Sequence, residues 1–139
     1  MAKNLMYVCL GILTLMGCTC DSGPNWRNEG LQKIPIDSIA AADTIRGTDT
    51  LIVRFWSGVV SDASTFSHFD TAKDSSQVEI SAWAYVRTWI GDGSMPPTRL
   101  HPLWGDTCQV PPPFTPGNLH LFVRQPDDST LNDSVEVLP

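Results

Sequence analysis

The residues whose types and spacing could do chemistry occupy alternate positions in the run QVEISAWAYVRTWI, residues 77–90. They are Trp83, Tyr85, Arg87 and Trp89. Alternate side chains of an extended strand point to the same face, so these four form an aromatic stripe. Tyr and Trp combine large apolar rings with a polar group, which suits stacking on sugar rings or contact with another protein. Trp56, in the earlier run TLIVRFW, falls on the corresponding outward face of its own strand and joins the stripe as a candidate ligand face.

Two other interpretations of the aromatic stripe involve no ligand. In the first, the Pro-rich segment from Gly91 to Gly117 folds over the stripe. That segment supplies three apolar side chains for such a cover, Leu103, Trp104 and Phe114. In the second, Ala82 and Ala84 face outward and the aromatic rings form the core. A binding role requires an exposed stripe, because exposed apolar clusters usually mark interaction sites.

Metal binding and catalysis find little support. His68 and Asp70 share one face of a strand, but zinc needs further ligands, and nothing places His101 or His120 beside them. The chain has no G-x-S-x-G, no H-E-x-x-H and no cysteine paired locally with a histidine, which are the motifs of common hydrolases. Most carboxylates fall in turn sequences, where they bond their own backbone. We therefore expect no enzyme activity, no metal and no cofactor.

The elements that position these residues are predicted to be strands. After residue 17, no segment sustains apolar residues at helical spacing, and short alternating runs are separated by Gly, Pro, Asp and Ser, a pattern typical of all-β domains. An edge strand is expected over residues 34–39, with a turn at Gly47. Inward faces are predicted at Leu51, Val53 and Phe55, and at Val78, Ile80, Ala82, Ala84, Val86 and Ile90. Near the C-terminus, Leu119, Leu121 and Val123 alternate with His120, Phe122 and Arg124, and Val135 and Val137 continue on a return strand.

Two further segments have a less regular pattern of apolar residues. In STFSHFDT, simple alternation predicts that the Phe66 side chain lies on one face of the strand and the side chains of Ser67 and Phe69 on the other. The segment from Gly91 to Gly117 contains many prolines, which cannot donate to a central sheet ladder. It is predicted to be a long ordered loop with a short strand near Cys108.

The C-terminal run TPGNLHLFVRQPDDSTLNDSVEVLP resembles the last two strands of the immunoglobulin-like β-sandwich domains of bacterial surface proteins. The Pro-Gly pair, the alternating Leu119, Leu121 and Val123 and the PDDS turn carry the resemblance. Leu119 stands where an aromatic residue is usual, so the tyrosine corner is missing. The resemblance implies a single immunoglobulin-like antiparallel β-sandwich over residues 34–139, and it implies a fold only.

The N-terminus has the features of an export signal, with Lys3 ahead of an apolar stretch from Leu5 to Met16. About a dozen apolar residues suit a signal, whereas a membrane span needs roughly 20. The sequence LMGC that follows resembles the bacterial lipobox. This resemblance implies cleavage of residues 1–17 and acylation of Cys18, including palmitate-type chains. Residues 18–33 then become a lipidated, polar tether. A plain secretory signal and an uncleaved anchor are the alternatives.

Charge and cysteine usage fit a domain outside the cytoplasm. Removal of residues 1–17 takes one of 9 basic residues and none of 15 acidic ones, which leaves 8 − 15 = −7. An acidic domain is a poor partner for nucleic acid and for direct adhesion to anionic lipid. Cys9 leaves with the signal, so Cys20 and Cys108 are candidates for a disulfide in an oxidising compartment.

Together these features predict a lipoprotein of the bacterial cell envelope, attached to a membrane by its acyl chains. We expect a non-catalytic structural or protein-interaction module that contacts an envelope protein or polysaccharide. The alternative is a carbohydrate-binding module with an exposed aromatic face made by Trp83, Tyr85 and Trp89.

Overall fold

A computed structural model of the chain describes residues 26–58, 64–91 and 102–139. These residues form nine strands and contain no helix that could cross a membrane. The strands are β1 (Trp26–Lys33), β2 (Ile36–Ala40), β3 (Thr44–Arg46), β4 (Leu51–Ser57), β5 (Thr65–Lys73), β6 (Gln77–Trp89), β7 (Trp104–Val110), β8 (Gly117–Arg124) and β9 (Thr130–Leu138). The predicted all-β class is confirmed. The predicted export signal, Cys18, Cys20 and His101 lie outside the described residues.

The strands form a six-stranded sheet and a three-stranded sheet. The larger sheet has the order β1-β6-β8-β9-β3, and β5 pairs with β6 as well. Strand β6 is 13 residues long, so it can hold two neighbours in succession: β8 pairs with its first residues and β1 with its last ones. The smaller sheet has the order β2-β4-β7. This arrangement makes β6 the centre of the larger sheet.

Two of the strand pairs are parallel, β6 with β8 and β3 with β9, and the others are antiparallel. The expected sandwich was antiparallel throughout, and the structure differs at these two pairs. Parallel neighbours require a crossover connection. Here the chain leaves β6, forms β7 in the smaller sheet and returns as β8, so β8 runs in the same direction as β6.

The core lies between the two sheets and is built from alternate positions of the strands. The inward face predicted for β4 is confirmed, because its apolar members are buried, and the alternating apolar residues of β8 and β9 are buried as well. The inward face of β6 is confirmed from Val78 to Val86, whereas Ile90 lies beyond the strand end and is 60% exposed. Burial of each large apolar side chain contributes about 1.5–3 kcal/mol. The alternation of apolar residues therefore determines which side chains are buried, and burial of apolar side chains is the main stabilising contribution to this fold.

A β-bulge corrects the predicted phase of β5. The pairing with β6 shifts register between Phe66 and His68, so Ser67 is the extra residue and Phe66 and Phe69 lie on the same side. Their rings are 4.8 Å apart, and the Phe69 ring lies 4.7 Å from that of Phe55 in the core. Simple alternation could not show this because one inserted residue inverts the phase of everything after it.

The folded domain begins earlier than residue 34. Residues 26–33 form β1 and pair with residues 83–89 of β6, so the part of the predicted tether from Trp26 onward belongs to the larger sheet. At the end of β1, Ile34 donates its N–H to the carbonyl of Ala82 at 3.0 Å. Pro35 follows without an N–H, and the chain then enters the smaller sheet as β2. The Pro-rich segment likewise contains a full strand, β7, around Cys108.

Candidate functional site

The aromatic stripe lies on the outer face of the six-stranded sheet. Ala82 and Ala84 are fully buried on the inner side of β6, so Trp83, Tyr85 and Arg87 point away from the core. The interpretation in which the alanines face outward is therefore wrong. Space between the two sheets explains why the alanines face inward. Ala84 and Ala82 lie opposite Phe66 and Phe69 of β5 in the strand register, and these two rings fill the inner space, so only small side chains fit beside them.

Trp83 is half-buried because its neighbours across the sheet flank its ring. The strand register sets Lys33 of β1 on one side and His68 of β5 on the other. The Lys33 Nζ lies 5.9 Å from the ring centroid, and the His68 ring is nearly parallel at 6.4 Å and 13°. The Trp83 indole N–H is buried and has no hydrogen-bond acceptor among the described residues. Trp83 thus packs within the surface layer and does not offer an open ring.

Tyr85 is the exposed aromatic residue of the stripe, with 53% of its surface accessible. Its partner across β1 is Leu31, which is 42% exposed. Arg87, two residues further along β6, is also exposed, and Trp89 is half-buried. Leu31, Tyr85 and Arg87 form a small exposed patch, which we call the Tyr85 patch.

Trp56 does not lie with the stripe. It occupies the outer side of the three-stranded sheet, where it pairs with Trp104 of β7. Gly105 has a φ of +80°, which favours glycine, and a Cβ there would lie 3.7 Å from the Trp56 Nε1. Trp104 is 71% exposed. The five residues of the predicted ligand face are therefore divided between opposite sides of the sandwich.

The three apolar residues predicted to cover the stripe, Leu103, Trp104 and Phe114, do not lie over it. Leu103 and Phe114 are buried in the core, and Trp104 lies on the other sheet. Leu103 is held there by the buried Ser57, whose hydroxyl oxygen accepts the Leu103 N–H at 3.1 Å. These three residues were the predicted cover, and the structure places none of them over Tyr85.

Arg–Glu ion pairs link side chains of the larger sheet. Arg124 donates to Glu79 at 2.8 Å, and this hydrogen bond lowers the pKa of the Glu79 carboxyl, with a smaller contribution from the charge of Lys33. Arg27 donates to Glu29 at 2.7 Å, which likewise lowers the pKa of Glu29. No ion pair is found for Arg87 in the described part of the chain. The Tyr85 patch therefore carries a positive charge in an acidic domain.

His68 and Asp70 lie together, as their spacing predicts, with 3.5 Å between the His68 Nε2 and the Asp70 Oδ1. Ser67 Oγ contacts the other ring nitrogen of His68 at 2.9 Å. Both side chains are solvent-exposed, and the described residues include no group of three or more His, Cys, Asp or Glu side chains that could hold a metal. The pair is a surface contact beside Trp83.

Cys108 points into the core from β7 and is 4% exposed. Burial raises the pKa of its thiol to about 11, which makes the thiolate form unfavourable at neutral pH. Its predicted partner Cys20 is outside the described residues, so the disulfide stays a prediction.

Sequence reasoning missed Leu31, Lys33 and Trp104 as surface residues of interest. Leu31 and Lys33 were assigned to a tether because they lie in a mostly polar segment and their partner strand β6 is distant in the sequence. Trp104 was assigned to a covering loop because prolines surround it.

Comparisons of the chain with protein-family models, curated proteins and solved structures found no match.

Proposed function

We propose that this chain is a lipid-anchored lipoprotein of the bacterial cell envelope that acts as a non-catalytic structural or protein-interaction module. The LMGC sequence ending at Cys18 supports the anchor. The Tyr85 patch carries the interaction role, since it presents an exposed Tyr, an exposed Arg and an aliphatic neighbour on one rigid sheet. Tyr and Arg are enriched among the residues that dominate binding energy in protein interfaces.

An immunoglobulin-like domain is part of this proposal. The β8–β9 hairpin and the two-layer arrangement support it. The parallel pairing of β6 with β8 departs from the usual pattern, in which both sheets are antiparallel. The departure leaves the interaction proposal unaffected because the Tyr85 patch depends on the antiparallel β1–β6 and β5–β6 pairs.

Carbohydrate binding is the second candidate, and the outward orientation of Tyr85 favours it. The arrangement of the other rings favours it less. Lys33 and His68 flank Trp83, Trp89 is half-buried, and the highly exposed Trp104 lies on the opposite sheet. A flat platform of several open rings on one face is therefore not formed by the described residues, and a protein partner is the better fit.

Site-specific photo-cross-linking in cells tests the interaction role. A photoreactive amino acid at position 85 of the full chain is expected to give a protein adduct of discrete mass. The same residue at position 109 is the control, because Gln109 is exposed on the outer side of the other sheet. Equal adducts at both positions, or none at position 85, would contradict the proposal. Retardation of the chain in polysaccharide gels that Tyr85→Ala abolishes would favour the carbohydrate alternative.

A further inference from the structure

The larger sheet ends in a two-stranded ribbon at the point where the chain enters the domain. Strand β5 begins at Thr65, opposite Tyr85. Among the described strands, only β1 and β6 continue past this level, with Trp26 opposite Trp89, Arg27 opposite Thr88 and Asn28 opposite Arg87. We call residues 26–28 and 87–90 the ribbon tip. Two paired strands alone are marginally stable in water, so a further contact would stabilise this tip.

The composition of the ribbon tip suits the boundary between lipid and water. Ile90 is 60% exposed and follows the half-buried Trp89. Arg87 is exposed and has no ion pair among the described residues, while Glu29, the acidic residue next to the tip in β1, is paired with Arg27. Apolar and aromatic side chains beside Arg are the residues found at membrane interfaces, and Arg is attracted to anionic headgroups. The tip thus carries positive charge in a domain whose overall charge is negative.

The length of the linker keeps this tip near the anchor. Eight peptide units separate Cys18 from Trp26 in the sequence, which span at most about 28 Å when fully extended. If Cys18 carries acyl chains, the ribbon tip contains the described residues that follow the lipid-attached residue most closely in the sequence.

We propose that the ribbon tip docks on the phospholipid headgroups of the membrane that holds the acyl chains. This inference rests on the proposed lipid anchor. Docking places Arg87 against the headgroups, and β1 and β6 extend from there away from the membrane. Leu31 and Tyr85 of the Tyr85 patch then face sideways, toward other envelope components. The occupant is the lipid surface, because the linker keeps the tip within about 28 Å of the acylated residue and the charge of Arg87 complements anionic headgroups.

The test uses the full-length, processed protein in nanodiscs of phosphatidylcholine and phosphatidylglycerol that contain a lipid with a gadolinium-chelating headgroup. Residue-resolved NMR line broadening should be strongest at amides 27–28 and 87–90, and weak at Leu138 at the end of β9. Broadening that is uniform, strongest elsewhere or absent overturns the inference. The inference is also overturned if a photo-cross-linker in the tip reacts with a protein or with a second copy of the chain while the tip amides show no lipid-induced broadening.

A matched pair of double variants separates the tip from general surface effects. Arg87→Gln with Ile90→Ser removes the charge and the exposed apolar group of the tip. Arg54→Gln with Ile52→Ser makes the same changes at exposed positions of β4. We expect the ratio of docked to undocked domain to fall about tenfold for the first pair, and to stay unchanged for the second. Equal effects overturn the inference.

The anchor itself is measured separately by the mass of the N-terminal peptide. An acylated Cys18 with no broadening at the tip overturns the docking and leaves the anchor standing. An N-terminal peptide without acyl chains overturns the anchor, and with it the docking.

Discussion

The side-chain amide of Gln125 pairs with the backbone of Ile36 in both directions. The Gln125 Oε1 accepts the Ile36 N–H at 2.9 Å, and the Gln125 Nε2 donates to the Ile36 carbonyl at 3.2 Å. Ile36 lies where the chain has just crossed from the six-stranded to the three-stranded sheet. The amide thus imitates a strand neighbour at a position where the chain changes partners, and it satisfies both backbone groups.

Replacement of Gln125 by Ala should lower the free energy of unfolding by about 1–3 kcal/mol, because both polar groups of Ile36 lose their partner. Urea unfolding at pH 7 measures the loss. Gln109→Ala is the control, since Gln109 is exposed on the outer side of β7 and should change stability by less than about 0.5 kcal/mol. Equal losses in the two variants would show that the Gln125 contact has no special role.

Phe55 should be among the most costly core residues to truncate. It is fully buried, and its ring lies 4.7 Å from that of Phe69. Phe55→Ala is expected to cost about 3–5 kcal/mol, which is a large fraction of the stability of a small domain. Ile52→Ala, on the outer side of the same strand, should cost much less. Thermal unfolding followed by circular dichroism compares the two, and similar costs would refute the assigned inward face of β4.

Acid should weaken the β5–β6 turn. Asp74 accepts the N–H groups of Ser76 and Gln77 at 2.8 and 2.9 Å. The hydrogen bond from the Ser76 backbone is the main cause that lowers the pKa of Asp74. Since this pKa is lower in the folded state, the contribution to stability is present above the unfolded value of about 3.9 and is lost as the pH falls through the folded value.

An Asp74→Ala variant tests this dependence. It should be less stable than the wild type at pH 7, and the difference should shrink on acidification below about pH 4. Urea unfolding between pH 7 and pH 2 provides the measurement. Asp37→Ala is the control, because Asp37 is exposed on β2 and is expected to give a smaller difference. A gap between wild type and Asp74→Ala that stays constant with pH would contradict the proposed role of the carboxylate.

Cys108 should resist alkylation in the folded protein. Its thiol is buried and its pKa is raised to about 11, and the thiolate is the reactive form. Iodoacetamide at pH 8 should therefore modify Cys108 only after unfolding, as mass spectrometry of the peptide can show. Rapid modification of the folded chain would contradict the inward orientation. If unfolded but unreduced protein also resists modification, Cys108 is bridged, as predicted for Cys20 and Cys108.

Local alternation in the sequence determined the strands and most of their inner faces. Leu51, Val53 and Phe55 are inward in the structure as predicted, and the alternating Leu119, Leu121 and Val123 are buried as well. Side chains of a strand alternate with a period of two, so a regular strand reveals its buried face without knowledge of its neighbours. The same local information predicted a turn at PDDS, where Asp127 accepts the N–H of Ser129 at 3.1 Å.

Tertiary structure decided which strands pair and therefore which residues meet. Local alternation failed at Phe66 and Phe69 because the bulge at Ser67 is defined by the partner strand β6. It failed at Leu31 and Lys33 because β1 is held by a strand some 50 residues away in the sequence. It also could not show that Trp56 and Trp83 lie on different sheets. Pairing between distant strands depends on the packing of the whole domain, and the sequence of a single strand does not specify which strands will lie beside it.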